Sequence, residues 1–146
     1  MYPVDIEGSV GPYTSYSSKV DCVCDWSGPI DLRNMGCENP RPWGGTPEEV
    51  LLGVDYNGQD DLFRTLSPIT YLDPSDPPLT EFHGTKDDVV PYCQGVEIYN
   101  AWKNKGIPCN LSLVEGAGHG IALFMEPWLS QMVGFVEAVR ATKTGR

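Results

Sequence analysis

Between Leu79 and Val139 the chain twice follows a short apolar run with a longer stretch whose apolar residues recur at helical spacing. Leu79 to His83 reads as a strand. From Tyr92, the residues Val96, Tyr99 and Trp102 recur on one helical face, Lys103 and Lys105 suit the negative end of the dipole, and Gly106 with Pro108 ends the element. Leu111 and Leu113 alternate with Asn110 and Ser112 up to Val114 as a further strand, and Trp128, Met132, Phe135, Val136 and Val139 outline a closing helix. This order restricts the chain to parallel strands joined by right-handed crossovers, with helices packed on the sheet. Ligand sites in such sheets lie beyond the carboxyl ends of the strands.

Upstream, Val20 to Trp26 is a short, mostly apolar run stopped by Ser27, Gly28 and Pro29, the pattern of a buried strand ending at a turn. The predicted fold class is therefore α/β, with a three-stranded parallel sheet and flanking helices. A long proline- and glycine-rich excursion separates the first two strands. Within it, Thr46 precedes Pro47, Glu48 and Glu49, which predicts a capping box and a short helix through Leu52. Asp60 to Leu66 predicts another brief helix, halted by Ser67 and Pro68, and Asp76, Pro77 and Pro78 enforce an extended approach to the next strand. Met1 to Ser18 shows no periodicity and reads as an irregular lead-in to one domain running from Lys19 to Thr142.

Composition narrows the function classes. The 146 residues suffice for one core, and ten Lys plus Arg against twenty Asp plus Glu leave a net charge of −10. Nucleic-acid affinity arises when Lys and Arg displace counterions from phosphates, so nucleic acids and anionic membrane surfaces are excluded as partners. No apolar run is long enough to cross a bilayer and no signal-peptide core is visible, so a soluble chain is expected, with its location left open. The five cysteines form no C-x-x-C pair, and Cys22 and Cys24 share one face of a strand as small hydrophobes. Free thiols are expected, with room for one disulfide. No metal or cofactor is expected.

Two residues fall where chemistry belongs in this architecture. Asp87 follows the strand ending at His83, and His119 follows the strand ending at Val114 within a glycine-rich loop, Gly116, Gly118 and Gly120. An imidazole acting as general base needs a carboxylate to fix its tautomer and stabilise the imidazolium. Asp87 and His119 are the candidate pair. Asp88 is the fallback acid if the turn is shifted by one residue, and His83 is read as a structural residue at a strand end.

The segment from His83 and Gly84 through Asp87 to Val90 and Pro91 resembles the H-G-x-x-D-x-x-V-P stretch around the catalytic acid of α/β-hydrolases. Val114 to Gly120 resembles their catalytic-histidine loop, Ser67 to Thr70 with Asp76 to Pro78 the approach to the acid strand, and Asp25 to Pro29 with Asp31 the turn after the sixth strand. Bacterial esterases and lipases of the acetyl- or feruloyl-esterase type, neighbours of the prolyl-oligopeptidase-like hydrolases, are the nearest group. The resemblance spans about Lys19 to Val139. It implies the C-terminal half of a serine carboxylic-ester hydrolase, with Asp87 and His119 as triad acid and histidine and a small-molecule or carbohydrate-linked acyl ester as substrate.

Members of that family carry the nucleophile in G-x-S-x-G, before the acid and the histidine. The motif occurs nowhere in these residues, and neither does the H-G-G-type oxyanion loop. Gly8 to Gly11 lacks the glycine two before its serine, and Ser27 occupies a turn position usually aromatic in the family. The isolated chain is therefore expected to show weak or no triad turnover. The alternative is a non-catalytic remnant or interaction module packed against a partner. An uncovered strand at Val20 to Trp26 predicts self-association, or complementation by an N-terminal fragment. Trp102 and Trp128 read as core, Trp43 is the candidate for lining a substrate cleft, and Asp55, Asp60 and Asp61 read as a solvated face without calcium-loop spacing.

Overall fold

A computed structural model describes residues 11–36, 46–56 and 60–144. Trp43 and Gly8 to Val10 lie outside them. Strand β1 (Val23–Trp26) is followed by helices α1 (Pro47–Leu52) and α2 (Asp60–Leu66), strand β2 (Leu79–Gly84), helix α3 (Tyr92–Asn104), strand β3 (Cys109–Val114) and helix α4 (Trp128–Thr144). Single 3-10 turns sit at Pro68–Thr70 and Ile121–Phe124. The strands lie in the order β1-β2-β3, and both pairs are parallel, as the alternation predicts.

Local chemistry accounts for the elements. Thr46 accepts from the Glu49 amide while the Glu49 carboxylate accepts from the Thr46 amide, the predicted capping box, and Gly53 closes α1 in the left-handed region at φ 67°. β1 is shorter than the Val20 to Trp26 run, because the ladder begins where Val23 faces Leu79 and Val20 stays exposed. Every residue of β2 is buried, since it alone has a strand on each side and cover on both faces.

The two sheet faces differ in character. On one, Leu79 packs with Ile30 and Ile98 of α3, supported by Val23, Ile69 and Trp102. On the other, Trp26 stacks on Phe82 with ring centroids 4.3 Å apart and on Phe124 at 4.7 Å, beside the Val114, Ala117 and Leu123 cluster. Under the excursion, Phe63 of α2 packs with Leu32, Met35 and Val90. Of the predicted α4 stripe, Trp128, Met132, Phe135 and Val139 are half-buried while Val136 is exposed, as are Leu129 and Val133, and none of the described residues of the helix is fully buried.

The α3 face departs from expectation. Val96, Tyr99 and Trp102 are only half-buried, whereas Gln94, Gly95 and Ile98 are buried. Gln94 explains the rotation: its side-chain oxygen accepts from the Ile30 and Asp31 amides, each at 2.9 Å, and its nitrogen donates to the Asn34 carbonyl at 2.9 Å. The helix thus turns toward the loop after β1 to satisfy that loop's backbone. Cys22, Cys24 and Cys109 are free thiols, and Cys93 is disulfide-bonded, within the room left for one disulfide. No helix among the described residues is long and apolar enough to cross a membrane.

Candidate active site

The carboxyl ends of β2 and β3 carry two loops latched together by main-chain bonds. Thr85 donates its amide to the Val114 carbonyl at 3.1 Å, and Lys86 donates to the Ala117 carbonyl at 2.9 Å. The Thr85 hydroxyl accepts from the Gly116 amide at 2.9 Å, and Gly116 adopts φ 74°, a left-handed conformation suited to glycine. Gly84 permits the closest approach, because a Cβ there would stand 2.3 Å from the Ala117 carbonyl oxygen. The residue type at 84 therefore sets how near the two loops can come.

On this frame the structure brings Asp87 and His119 together. His119 Nδ1 lies 2.9 Å from Asp87 Oδ2, while Asp87 Oδ1 accepts from the Val89 amide at 3.0 Å and the Val90 amide at 2.8 Å. The Asp87 side chain is wholly buried and the His119 ring is 40% exposed. Burial alone would raise the carboxyl pKa. The Val90 amide, His119, the Ser27 hydroxyl and the Val89 amide together outweigh it and hold Asp87 below the usual carboxylate value. A buried anion accepting from Nδ1–H leaves Nε2 as the nitrogen able to take a proton. Asp88, one residue on, is exposed.

Ser27 terminates β1 in a left-handed conformation, φ 58°, with its amide donating to the Phe82 carbonyl at 3.0 Å. Its hydroxyl is buried and makes no hydrogen bond of ordinary geometry, though it lies close enough to Asp87 to favour the ionised form. An attacking oxygen must reach substrate, so this buried hydroxyl does not fit a nucleophile. Asp55, Asp60 and Asp61 are exposed, and among the described residues no group of three or more His, Cys, Asp or Glu could hold a metal ion.

His83 is a strand-end residue as read, but its environment is more than structural filling. Both His83 and Glu81 are completely inaccessible, and His83 Nδ1 lies 2.8 Å from Glu81 Oε1. Burial, reinforced by the neighbouring Asp25 carboxyl, pushes Glu81 up to about 8 despite the opposing pull of His83. His83 also titrates above its ordinary value: burial opposes this, but the Glu81 and Val90 hydrogen bonds and the charges of Glu81 and Asp87 prevail. Gln94, Glu81 and Gly95 escape a pattern reading because polar or glycine residues inside a core break no periodicity that marks them out.

These directions predict a stability maximum on the acid side of neutrality. Glu81 and His83 bind protons more tightly folded than unfolded, so their contribution is full below about pH 4.5 and is lost as pH rises through about 8. Asp87 and Asp31, the latter paired with Arg33 at 2.7 Å, are shifted the other way: their contribution is present above about pH 4 and is lost as pH falls through the lowered values. Urea midpoints are expected to decline from about pH 5 to about pH 8, and Glu81→Gln to flatten that decline. An unchanged slope in the variant would contradict the assignment.

Comparison with known proteins extends the picture beyond the site. The BD-FAE family model matches residues 3–102. A truncated form of carbohydrate esterase from gut microbiota superposes with a TM-score of 0.86 at 38% identity, covering 92% of this chain and 48% of that one. The bifunctional GH43-CE of Bacteroides eggerthii gives 0.84 at 38% identity, covering 92% of this chain and 19% of its own. An esterase of Thermogutta terrifontis, at 21% identity and a TM-score of 0.61 over 90% of this chain and 45% of its own, shares the fold. No curated protein matches. This chain therefore spans about half the length of the first of these structures and about a fifth of the second. With a family match over most of its residues and a parallel sheet that superposes on esterases of α/β-hydrolase type, the chain belongs to the BD-FAE family.

Proposed function

We propose that this chain supplies the acid and the general base of a serine-dependent carboxylic-ester hydrolase, with Asp87 as acid and His119 as base. The observation that carries the reading is the 2.9 Å contact from Asp87 Oδ2 to His119 Nδ1, made by a carboxylate whose other oxygen is held by two amides. In that role His119 Nε2 takes the proton of a serine hydroxyl as it attacks the acyl carbonyl, then returns it to the departing alcohol. Asp87 keeps the tautomer and stabilises the imidazolium between the two steps. The serine, in G-x-S-x-G, comes from sequence outside these residues. The relatives named as carbohydrate esterases support an acyl ester on a carbohydrate as the substrate class.

The test is reconstitution. The chain alone, given a short-chain nitrophenyl ester and a fluorophosphonate trap, is expected to show neither triad-rate turnover nor a labelled serine. Co-expression with a G-x-S-x-G-bearing N-terminal segment is expected to yield hydrolysis that His119→Ala removes. Triad-rate turnover with a labelled serine in this chain would overturn the proposal. A second reading, a non-catalytic module packed against a partner, draws on the exposed Leu129, Val133 and Val136 of α4. It predicts association visible by light scattering and no hydrolysis after reconstitution.

A further inference from the structure

Behind Asp87 lies a second acid and imidazole that the acid–base reading leaves unused. Leu79, Glu81 and His83 alternate onto the α3 side of β2, so a carboxyl and an imidazole occupy positions where a buried central strand ordinarily places aliphatic residues. Burying two polar groups side by side disfavours folding unless they are paired. Here both ring nitrogens are paired, Nδ1 with Glu81 Oε1 at 2.8 Å and Nε2 with the Val90 carbonyl oxygen at 2.8 Å, while Glu81 Oε2 is buried without a hydrogen bond of ordinary geometry. A carbonyl only accepts, so Nε2 carries a proton and donates it.

That same Nε2 stands 3.6 Å from Asp87 Oδ2, the oxygen that meets His119. Val90 closes the arrangement, because its carbonyl accepts from His83 while its amide donates to Asp87 Oδ1. We propose that Glu81 and His83 form a buried positioning pair for Asp87, in which the His83 ring, oriented by Glu81, anchors Val90 and backs the carboxylate oxygen presented to His119. This builds on the reading of Asp87 and His119 as acid and base. The charged groups around the ring are Glu81 on β2, Asp87 in the turn and, through Glu81, Asp25 on β1; α3 contributes Gly95. The upward shifts of His83 and Glu81 agree with a protonated ring edge facing Asp87.

The backbone opposite is shaped for this pair. A Cβ at Gly95 would stand 2.6 Å from His83 Nδ1 and 2.8 Å from Glu81 Oε1. Glycine is less favourable than alanine inside a helix, and at this position it lets α3 close over the imidazole.

With only two histidines in the chain, side-chain proton–nitrogen spectra distinguish them. In the unaltered chain His83 is expected to be protonated at Nε2, with solvent exchange far slower than at His119, and His119 to show a carboxylate-bonded Nδ1 proton. His83→Gln is expected to speed exchange of that His119 proton about tenfold or more, with circular dichroism unchanged, as for weakening a charged hydrogen bond. Glu81→Gln, which keeps a polar partner for Nδ1, is expected to retain more protection than Glu81→Leu. An unaltered His119 proton in folded His83→Gln overturns the proposal. Should that variant not fold, the unaltered chain decides: an unprotonated His83 Nε2, or one exchanging as fast as His119, also overturns it. None of these measurements needs turnover. Absence of the His119 Nδ1 proton in the unaltered chain would instead count against the acid–base reading.

Discussion

Replacing Asp87 with asparagine is expected to lower ester turnover of the reconstituted enzyme about 10⁴-fold while leaving the fold in place. An asparagine oxygen can still accept from the Val89 and Val90 amides that hold Oδ1. Its side-chain nitrogen then faces His119 Nδ1, where Oδ2 stood at 2.9 Å. A donor at that position forces Nδ1 to accept and moves the ring proton to Nε2, the nitrogen that must be free to take a proton from serine. The lost charge also removes stabilisation of the imidazolium. Turnover of the reconstituted enzyme measures the first consequence, and the His119 nitrogen shifts of the chain alone measure the tautomer. A decrease of less than tenfold, or an unmoved tautomer, would show that Asp87 does not orient the base.

Phe82→Ala is expected to remove about 3–5 kcal/mol of stability, read from urea unfolding. Phe82 is fully buried at the centre of β2, stacked on Trp26, which stacks in turn on Phe124 in the turn that follows the His119 loop. Truncating the ring opens a void on the sheet face beneath Trp26 and removes the support of the Trp26 to Phe124 stack. Against the 5–15 kcal/mol typical of a whole domain, a loss of that size is a large fraction. Hydrogen exchange around Ile121 to Phe124 is expected to accelerate together with the global loss. A cost under about 1 kcal/mol would mean that the stack carries little of the sheet's stability.

Much of this arrangement was legible in the chain because its boundaries are written in residues with few conformational choices. Gly106 and Pro108 stop α3, Thr46 and Glu49 start α1, and the alternation from Asn110 to Val114 is a strand signal. Parallel order followed from the alternation of elements, and that order puts Asp87 and His119 on neighbouring loops. The paired geometry behind them was not legible. Glu81 and His83 stand two apart on a strand, a spacing that places them on one face without saying that both are buried or what covers them. Nothing in the spacing of Gln94 along the chain marks it as the acceptor for the loop amides of Ile30 and Asp31. The bonded state of Cys93 depends on distances that spacing along a chain does not encode.

Gly95 has a consequence for how this protein can vary. Because an added methyl would occupy the space of the His83 and Glu81 side-chain atoms, the residue that position 95 can accept depends on what stands at 83 and 81. A descendant that acquires a larger residue at 95 must give up the imidazole or move the helix. A larger residue at 95 is therefore expected only after the side chains at 83 or 81 have changed, whereas a change at 83 or 81 alone leaves Gly95 unopposed.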